Sequence, residues 1–296
     1  MAKTREIKLR IKAVGNIGRI TKTMQMIATS KFAKAQAAAT ATKPYTEALF
    51  GLVTELAATA GDMTHPLITG SSSKKAGAGE VTLVLTSDRG LAGPYNGSVL
   101  RTAMVHMRTN AAAKAGAIEV VGKKGNSFLK YNNLAVAAQH TQFGDKPTFD
   151  KVGALAQNYM DRFIAGEITG VNVVSMRFIS AGRQVPEVTQ LLPLKPVATK
   201  TNAAAEAGKT KLVYEFSPEG EELLARLLPE TVKATLFQIF NDAVVSEHVA
   251  RMVAMKSATD AAKKTRKLLT RDYNRARQAQ ITTELSEIIA GAAGLN

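Results

Sequence analysis

The chain contains no cysteine and no tryptophan. Without thiols it can form no disulfide, no Cys-ligated zinc or iron–sulfur centre and no thiol nucleophile. That suits a reducing compartment without requiring one. Its four histidines, His65, His106, His140 and His248, stand far apart and lack the short spacing of a metal site. They read as packing or surface residues. No apolar run of about 18 residues occurs, so no segment is expected to span a membrane. The basic start, MAKTREIKLRIKAV, lacks the apolar core of a secretory signal. Its pattern runs on well past signal length, so it reads as structure. Acid is scarce against base: 24 Asp and Glu face 39 Lys and Arg, a net charge of +15. Such a surplus asks for an acidic partner, whether nucleic acid, anionic lipid or an acidic protein surface.

What is present is long helical periodicity at both ends. The chain has 296 residues, enough for one or two domains, and 45% are hydrophobic. Residues 4–58 read as one helix, with Ile7, Ile11, Val14, Ile17, Ile20, Met24 and Ile27 recurring every three or four positions. Gly15 and Gly18 each weaken it by about 1 kcal/mol relative to Ala. Pro44 is expected to kink or break it. Residues 69–79, TGSSSKKAGAG, have linker composition. Strands follow at 80–86, 118–121 and 171–179, with helices at 96–114 and 149–165 and a further strand open at 134–138. Strands alternating with helices indicate a largely parallel α/β sheet domain. Residues 196–210 look like a loose loop.

The last third is helical again. Ser217 can cap a short helix with Pro218 at its first position and Glu219, Glu221 and Glu222 near the positive dipole end. Pro229 is then expected to start a second helix. From Glu230 to Ala290 there are 61 residues without proline or glycine. As one helix they would span ~90 Å, far beyond a compact radius of gyration of roughly 20 Å. Such a helix has to project and find a partner. Ile281, Leu285 and Ile288, and further up Leu236, Ile239, Phe240 and Ala243, repeat a coiled-coil step. The expected fold is therefore an antiparallel coiled coil of the N- and C-terminal helices, residues 1–68 with 217–296, and an inserted α/β domain at 80–216. The alternative is two amphipathic helices folded over a globular core. Lys3, Arg5, Lys8, Arg10 and Lys12 begin the first helix, and Glu284 and Glu287 end the last. Both placements oppose the helix dipole, which fits ends held inside a larger assembly.

Three stretches are candidate sites. SDRGLAGPYNG, residues 87–97, follows a strand and precedes a helix, where a nucleotide phosphate would sit. Its glycines do not give G-x-G-x-x-G and Pro94 interrupts them. A chain reversal or a neighbour contact competes with that reading. Residues 121–126, VGKKGN, read as a strand–helix turn, with phosphate binding as the alternative. The run 263–277 holds Lys263, Lys264, Arg266, Lys267, Arg271, Arg275 and Arg277 against Asp272. It reads as a solvated face, a basic collar facing acidic protein, or a nucleic-acid region. The last has no zipper beside it and little aromatic interleaving. No Ser/His/Asp or paired-carboxylate site can be placed.

Four motifs carry a resemblance. ITKTMQMIATSK (20–31), TSDRGLAG (86–93), SEHVARMVAMK (246–256) and YNRARQAQITTELSEI (273–288) resemble those of the gamma-subunit family of F-type, proton-translocating ATP synthases. Their order, their spacing and the chain length agree with that family. The resemblance implies a coiled-coil rotor stalk with an inserted Rossmann-like domain. The stalk sits inside a ring of three alpha and three beta subunits, and the α/β foot lies beside epsilon on the c-subunit ring. It implies torque transmission, with catalysis on beta, no cofactor, metal or catalytic site in this chain, and no nucleic-acid partner. By match, Met24 faces the lower lobe of beta. Arg251, Gln278 and Thr282 hydrogen-bond to beta loops, and Tyr214 and Glu215 lie near the c ring and epsilon. It implies a peripheral location on the cytoplasmic face of a bacterial inner membrane, or alternatively the mitochondrial matrix face. The lack of a presequence before the first motif favours the bacterial reading. Gly15, Gly18 and Ala92 depart from the family pattern.

Overall fold

The computed structural model describes residues 2–59, 65–69, 78–194 and 220–293. Their order is α1 (Ala2–Thr59), α2 (Pro66–Thr69), β1 (Gly79–Leu85), α3 (Tyr95–Thr109), α4 (Ala111–Ala115), β2 (Ala117–Val121), α5 (Lys123–Tyr131), β3 (Ala138–His140), α6 (Phe149–Ile164), β4 (Ile168–Ser180), β5 (Arg183–Leu192) and α7 (Gly220–Ala293). Helices from the two ends pair antiparallel, and an α/β sheet domain is inserted between them in sequence. The chain divides into two compact units, Met1–Ser30 with Arg251–Asn296, and Lys31–Ala250.

In the larger unit a five-stranded sheet runs β3-β2-β1-β4-β5. β1, β2, β3 and β4 are parallel, and β5 returns antiparallel along β4. The alternation of β1 divides its side chains between two cores. Val81, Leu83 and Leu85 pack with α6 (Val152, Tyr159, Phe163) and α7 (Leu228, Leu236, Phe240). Val84 packs on the other face with Val99 and Ala103 of α3 and Leu129 of α5. A sheet covered on both faces is what hydrophobic parallel strands require.

Several expectations need correction. Helix 96–114 is split at Asn110, whose backbone N–H ends α3 on His106 O at 2.9 Å. Its side-chain oxygen accepts from Ala112 N at 2.9 Å and so starts α4. The third strand is 138–140 and not 134–138. β5 was not foreseen; it contains Pro186 and is the sheet edge, where a missing N–H is tolerated. The strand–helix turn read at 121–126 does lead from β2 into a helix, α5. Neither Pro44 nor Pro229 ends its helix. A mid-helix proline costs about 3 kcal/mol. Around Pro229, Leu224, Leu228, Val232 and Leu236 are all buried, at about 1.5–3 kcal/mol each, so burial wins. Around Pro44, Ala39, Thr46, Leu49 and Val53 hold α1 in the same way. The linker at 69–79, the loop at 196–210 and the cap at Ser217 fall wholly or mostly outside the described residues.

In the smaller unit the paired faces of α1 and α7 are set by a three-four repeat. On α1 it is Thr4, Ile7, Ile11, Val14, Gly18, Thr21, Gln25 and Ala28, all buried or partly so. On α7 it includes Met255, Thr259, Ala262, Leu269, Tyr273, Ala276 and Gln280. Thr259 donates to Thr21 at 2.8 Å, and Thr4 donates to Gln280 at 3.1 Å. Numbers falling on one helix as they rise on the other define the antiparallel sense. A Cβ added at Gly18 would lie 3.5 Å from Ala262 Cβ, so small residues set how closely the helices approach.

Candidate functional site

From Ile17 onward the seam on α1 no longer follows the large apolar residues. Ile17, Ile20 and Ile27 of α1, and Ile281, Leu285 and Ile288 of α7, are 51% to 69% exposed. Leu9, Ile20 and Ile27 fall within about 20° of one another around α1, at roughly 100° per residue, and Leu9 is exposed too. The inward places beside them are Gly18, Thr21 and Ala28. Beyond Gln280, which already pairs with Thr4, α7 runs past the start of α1. That is why Leu285 and Ile288 have no seam to join. The unit thus keeps Ile7, Ile11, Val14 and Met255 toward the seam but presents a second set of large apolar side chains outward, more than a helix pair built to stand alone in water would show.

The candidate contact residues are distributed along this pairing. Met24 and Arg251 are half-buried, and Gln278 and Thr282 are exposed. The Thr282 hydroxyl donates to the Gln278 carbonyl at 3.0 Å, so these two share one side of α7, a turn apart. Tyr214 and Glu215 lie outside the described residues. All seven collar residues, Lys263, Lys264, Arg266, Lys267, Arg271, Arg275 and Arg277, are exposed. Among the described residues only weak pairs offset them: Lys263 with Asp260 at 3.8 Å and Arg271 with Asp272 at 3.7 Å. Exposed pairs of this kind contribute little. Lys263 and Arg266 meet Arg19 and Lys22 around a groove over Gly15 and Gly18, and no acid lines that groove.

In the larger unit the loop after β1 closes on itself. Asp88 Oδ1, Ser87 O and Thr86 Oγ1 accept from the N–H groups of Lys123, Lys124 and Gly125 at 3.0, 3.1 and 2.9 Å. The first turn of α5 is therefore capped by the chain, and phosphate binding there would need those donors free. Gly122 makes the contact possible: its φ is 92°, and a Cβ would sit 2.2 Å from Thr86 O. Asn96 fixes the loop from α3, accepting from Ser87 N at 3.0 Å. The TSDRG motif is thus an internal clasp between β1 and α5.

Glu119, in the middle of β2, was not foreseen as special. It is only 4% exposed. Tyr159 Oη donates to its Oε2 at 2.7 Å, Arg162 donates to Oε1 at 3.0 Å, and His140 Nε2 lies 2.8 Å from Oε2. A carboxylate only accepts, so His140 carries its proton on that nitrogen. Burial alone would push this carboxyl up. The hydrogen bonds from His140, Tyr159 and Arg162, with the charge of His140, outweigh it and hold the group at about 2. Burial, with Glu119 alongside, pushes the Tyr159 phenol far up. A glutamate inside AIEVV was the available signal, since a buried charge must be paired. Among the described residues no group of three or more His, Cys, Asp and Glu is placed to hold a metal.

Comparison with known proteins agrees with this geometry. A family model described as ATP synthase matches residues 3–295. The chain is 39% identical over 297 residues to the ATP synthase gamma chain of Rhodopirellula baltica, covering 100% of this chain and 99% of the relative. It is 38% identical over 299 residues to that of Leptospira biflexa serovar Patoc, with 100% of each covered. Among solved structures it resembles a chain of the Euglena gracilis mitochondrial ATP synthase in rotational state 3, with a TM-score of 0.65 and 16% identity, covering 99% of this chain and 95% of that one. It also resembles one in the central stalk and c-ring of the Tetrahymena thermophila mitochondrial ATP synthase, with a TM-score of 0.55 and 20% identity, covering 81% and 99%. At these identities the structural likeness is one of fold.

Proposed function

Because the chain belongs to the ATP synthase gamma-chain family, we propose that it is the central shaft of a rotary ATP synthase. It carries torque between a proton-driven ring of c subunits and the beta subunits of an alpha3beta3 hexamer. In this reading residues 1–68 and 217–296 form the shaft and 80–216 the foot, which meets epsilon and the c ring. Met24, Arg251, Gln278 and Thr282 contact beta, and Tyr214 and Glu215 serve the foot. The collar from Lys263 to Arg277 attracts acidic beta surfaces. Catalysis belongs to beta, and this chain supplies asymmetry. No helix among the described residues is long and apolar enough to cross a membrane. Attachment to a bacterial inner membrane, on its cytoplasmic face, then runs through the c ring.

The observation that carries this reading is the outward apolar face of the paired helices in the smaller unit. Those side chains need a protein sleeve. Coupling follows if each beta subunit meets a different face of the shaft, because only differential contact can favour one conformation over another. The mixture of small and apolar outer residues with long solvated charges lets the surface slide without locking. The test is purification through a tag on this chain. Six larger nucleotide-binding subunits should come with it, at one copy of this chain per hexamer. Recovery of the chain alone, or with nucleic acid that high salt releases, would remove the rotor assignment.

A further inference from the structure

The larger unit contains a cleft of about 710 Å³ that the rotor reading leaves unused. It lies among α1, the stretch joining β3 to α6, and α7. Its floor is apolar, with Phe143, Ala38 and Val244, and Asn241 and His248 add polar wall. Three lysines line it: Lys31, Lys34 and Lys146. Lys31 is taken by the Asp145 carboxylate, which that hydrogen bond holds below the usual carboxylate range. Lys34 and Lys146 have no hydrogen-bond or ion-pair partner among the described residues. The cleft therefore keeps two uncompensated positive charges above an apolar floor.

We propose that this cleft binds a small organic anion, an apolar ring carrying a phosphate or carboxylate head. The head engages Lys34 and Lys146, and the ring lies on Phe143 and Val244. The volume falls in the range of small-molecule sites, about 300–1,000 Å³, which combine an apolar lining with a few placed polar groups. A bare inorganic ion does not match the site, because it would gain nothing from the floor and would lose hydration there. A neutral ring does not match it either, because it would leave the lysines unanswered. The proposal is independent of rotation, since it concerns only residues within one unit.

The test is calorimetric titration of the full chain with 1-naphthyl phosphate, 1-naphthoate and neutral 1-naphthol. Saturable one-to-one binding of at least one anion, and weaker binding of the naphthol, is the expected result. Phosphate alone would assign phosphate esters, and equal binding of both anions would assign carboxylates as well. The double variant K34A/K146A should weaken binding about tenfold, as loss of two exposed charge contacts implies. Ala38→Trp, on an exposed residue of the lining, should abolish binding by filling the cleft while the thermal transition stays in place. Lys43→Ala, outside the cleft, should change nothing. Absence of saturable anion binding, equal binding of the naphthol, or indifference to both cleft variants would overturn the proposal.

Discussion

Replacing Glu119 by glutamine tests how the sheet tolerates a charge in its interior. In the folded chain the carboxyl titrates at about 2, against 4.5 in its ordinary setting. Each pH unit of difference is worth about 1.4 kcal/mol, so the ionised group adds about 3 kcal/mol to folding at neutral pH. The folded value is the depressed one. Its contribution is therefore complete above about pH 4.5 and is lost as pH falls from there toward 2. Glutamine keeps the shape and can still accept from Tyr159, but it offers one acceptor where the carboxylate offers two, and no charge for Arg162. Glu119→Gln should cost about 3 kcal/mol at pH 7, and the difference from the parent should shrink below pH 4.5. The assay is urea unfolding of the full chain, followed by circular dichroism at closely spaced pH values from 7 to 3. Comparing the two proteins at each pH cancels the many other carboxylates that titrate in the same range. A difference under about 1 kcal/mol at pH 7, or one that stays flat down to pH 3, would refute the claim that this network holds an ionised glutamate.

Other substitutions reach other parts of the argument. Gly15→Ala should stabilise the chain by about 1 kcal/mol, because the added Cβ meets nothing within 4 Å; an unmoved thermal midpoint would show that α1 is not continuous helix there. Thr86→Val removes a hydroxyl that donates to Val121 O at 2.7 Å and accepts from the buried Gly125 N–H at 2.9 Å. It should cost about 1–3 kcal/mol in urea unfolding, and Gly125→Ala should be worse, since its Cβ would lie 2.6 Å from Thr86 Oγ1. The double change L285D/I288D should leave the isolated chain within about 0.5 kcal/mol of the parent. It should lower the ATPase rate of the reassembled complex; full activity would count against an outward contact role for that face.

The fold was legible where a single physical cause controls the outcome. Val81 to Leu85 form a strand, and Phe149 to Ile164 a helix, because each period is plain and nothing local opposes it. The misses occurred where two causes compete. β5 carries Pro186, a residue at odds with a strand, and only its edge position, a property of the whole sheet, accommodates it. Pro229 argued for a helix start, and the buried leucines on either side of it decide otherwise. Asn110 sits inside a helical pattern, yet its side chain can serve as a cap, and the cap divides the helix. Of the site, the exposed collar could be read from charge alone. The clasp of Thr86 on α5 could not, because it joins groups 39 residues apart in sequence.

The apolar stripe shows why periodicity located the paired helices but only part of their contact face: Ile7, Ile11 and Val14 line it, and Ile17, Ile20 and Ile27 do not. Ile17, Ile20 and Ile27 repeat with the right period, and period alone would put them in the seam only if the largest side chains always went inward. That assumption holds for a chain whose only non-polar surroundings are its own. Here the inner places belong to Gly18, Thr21 and Ala28, because close approach of two backbones favours small residues, and the Thr21–Thr259 hydroxyl pair is satisfied within the seam. The isoleucines are then left for a surface that this chain does not supply. The same reasoning covers Leu285 and Ile288, which stand where α7 has outrun α1. A phase mismatch between the apolar repeat and the buried repeat is thus itself a signature of a component built to be enclosed. It is the physical feature of this sequence on which the proposed shaft role rests.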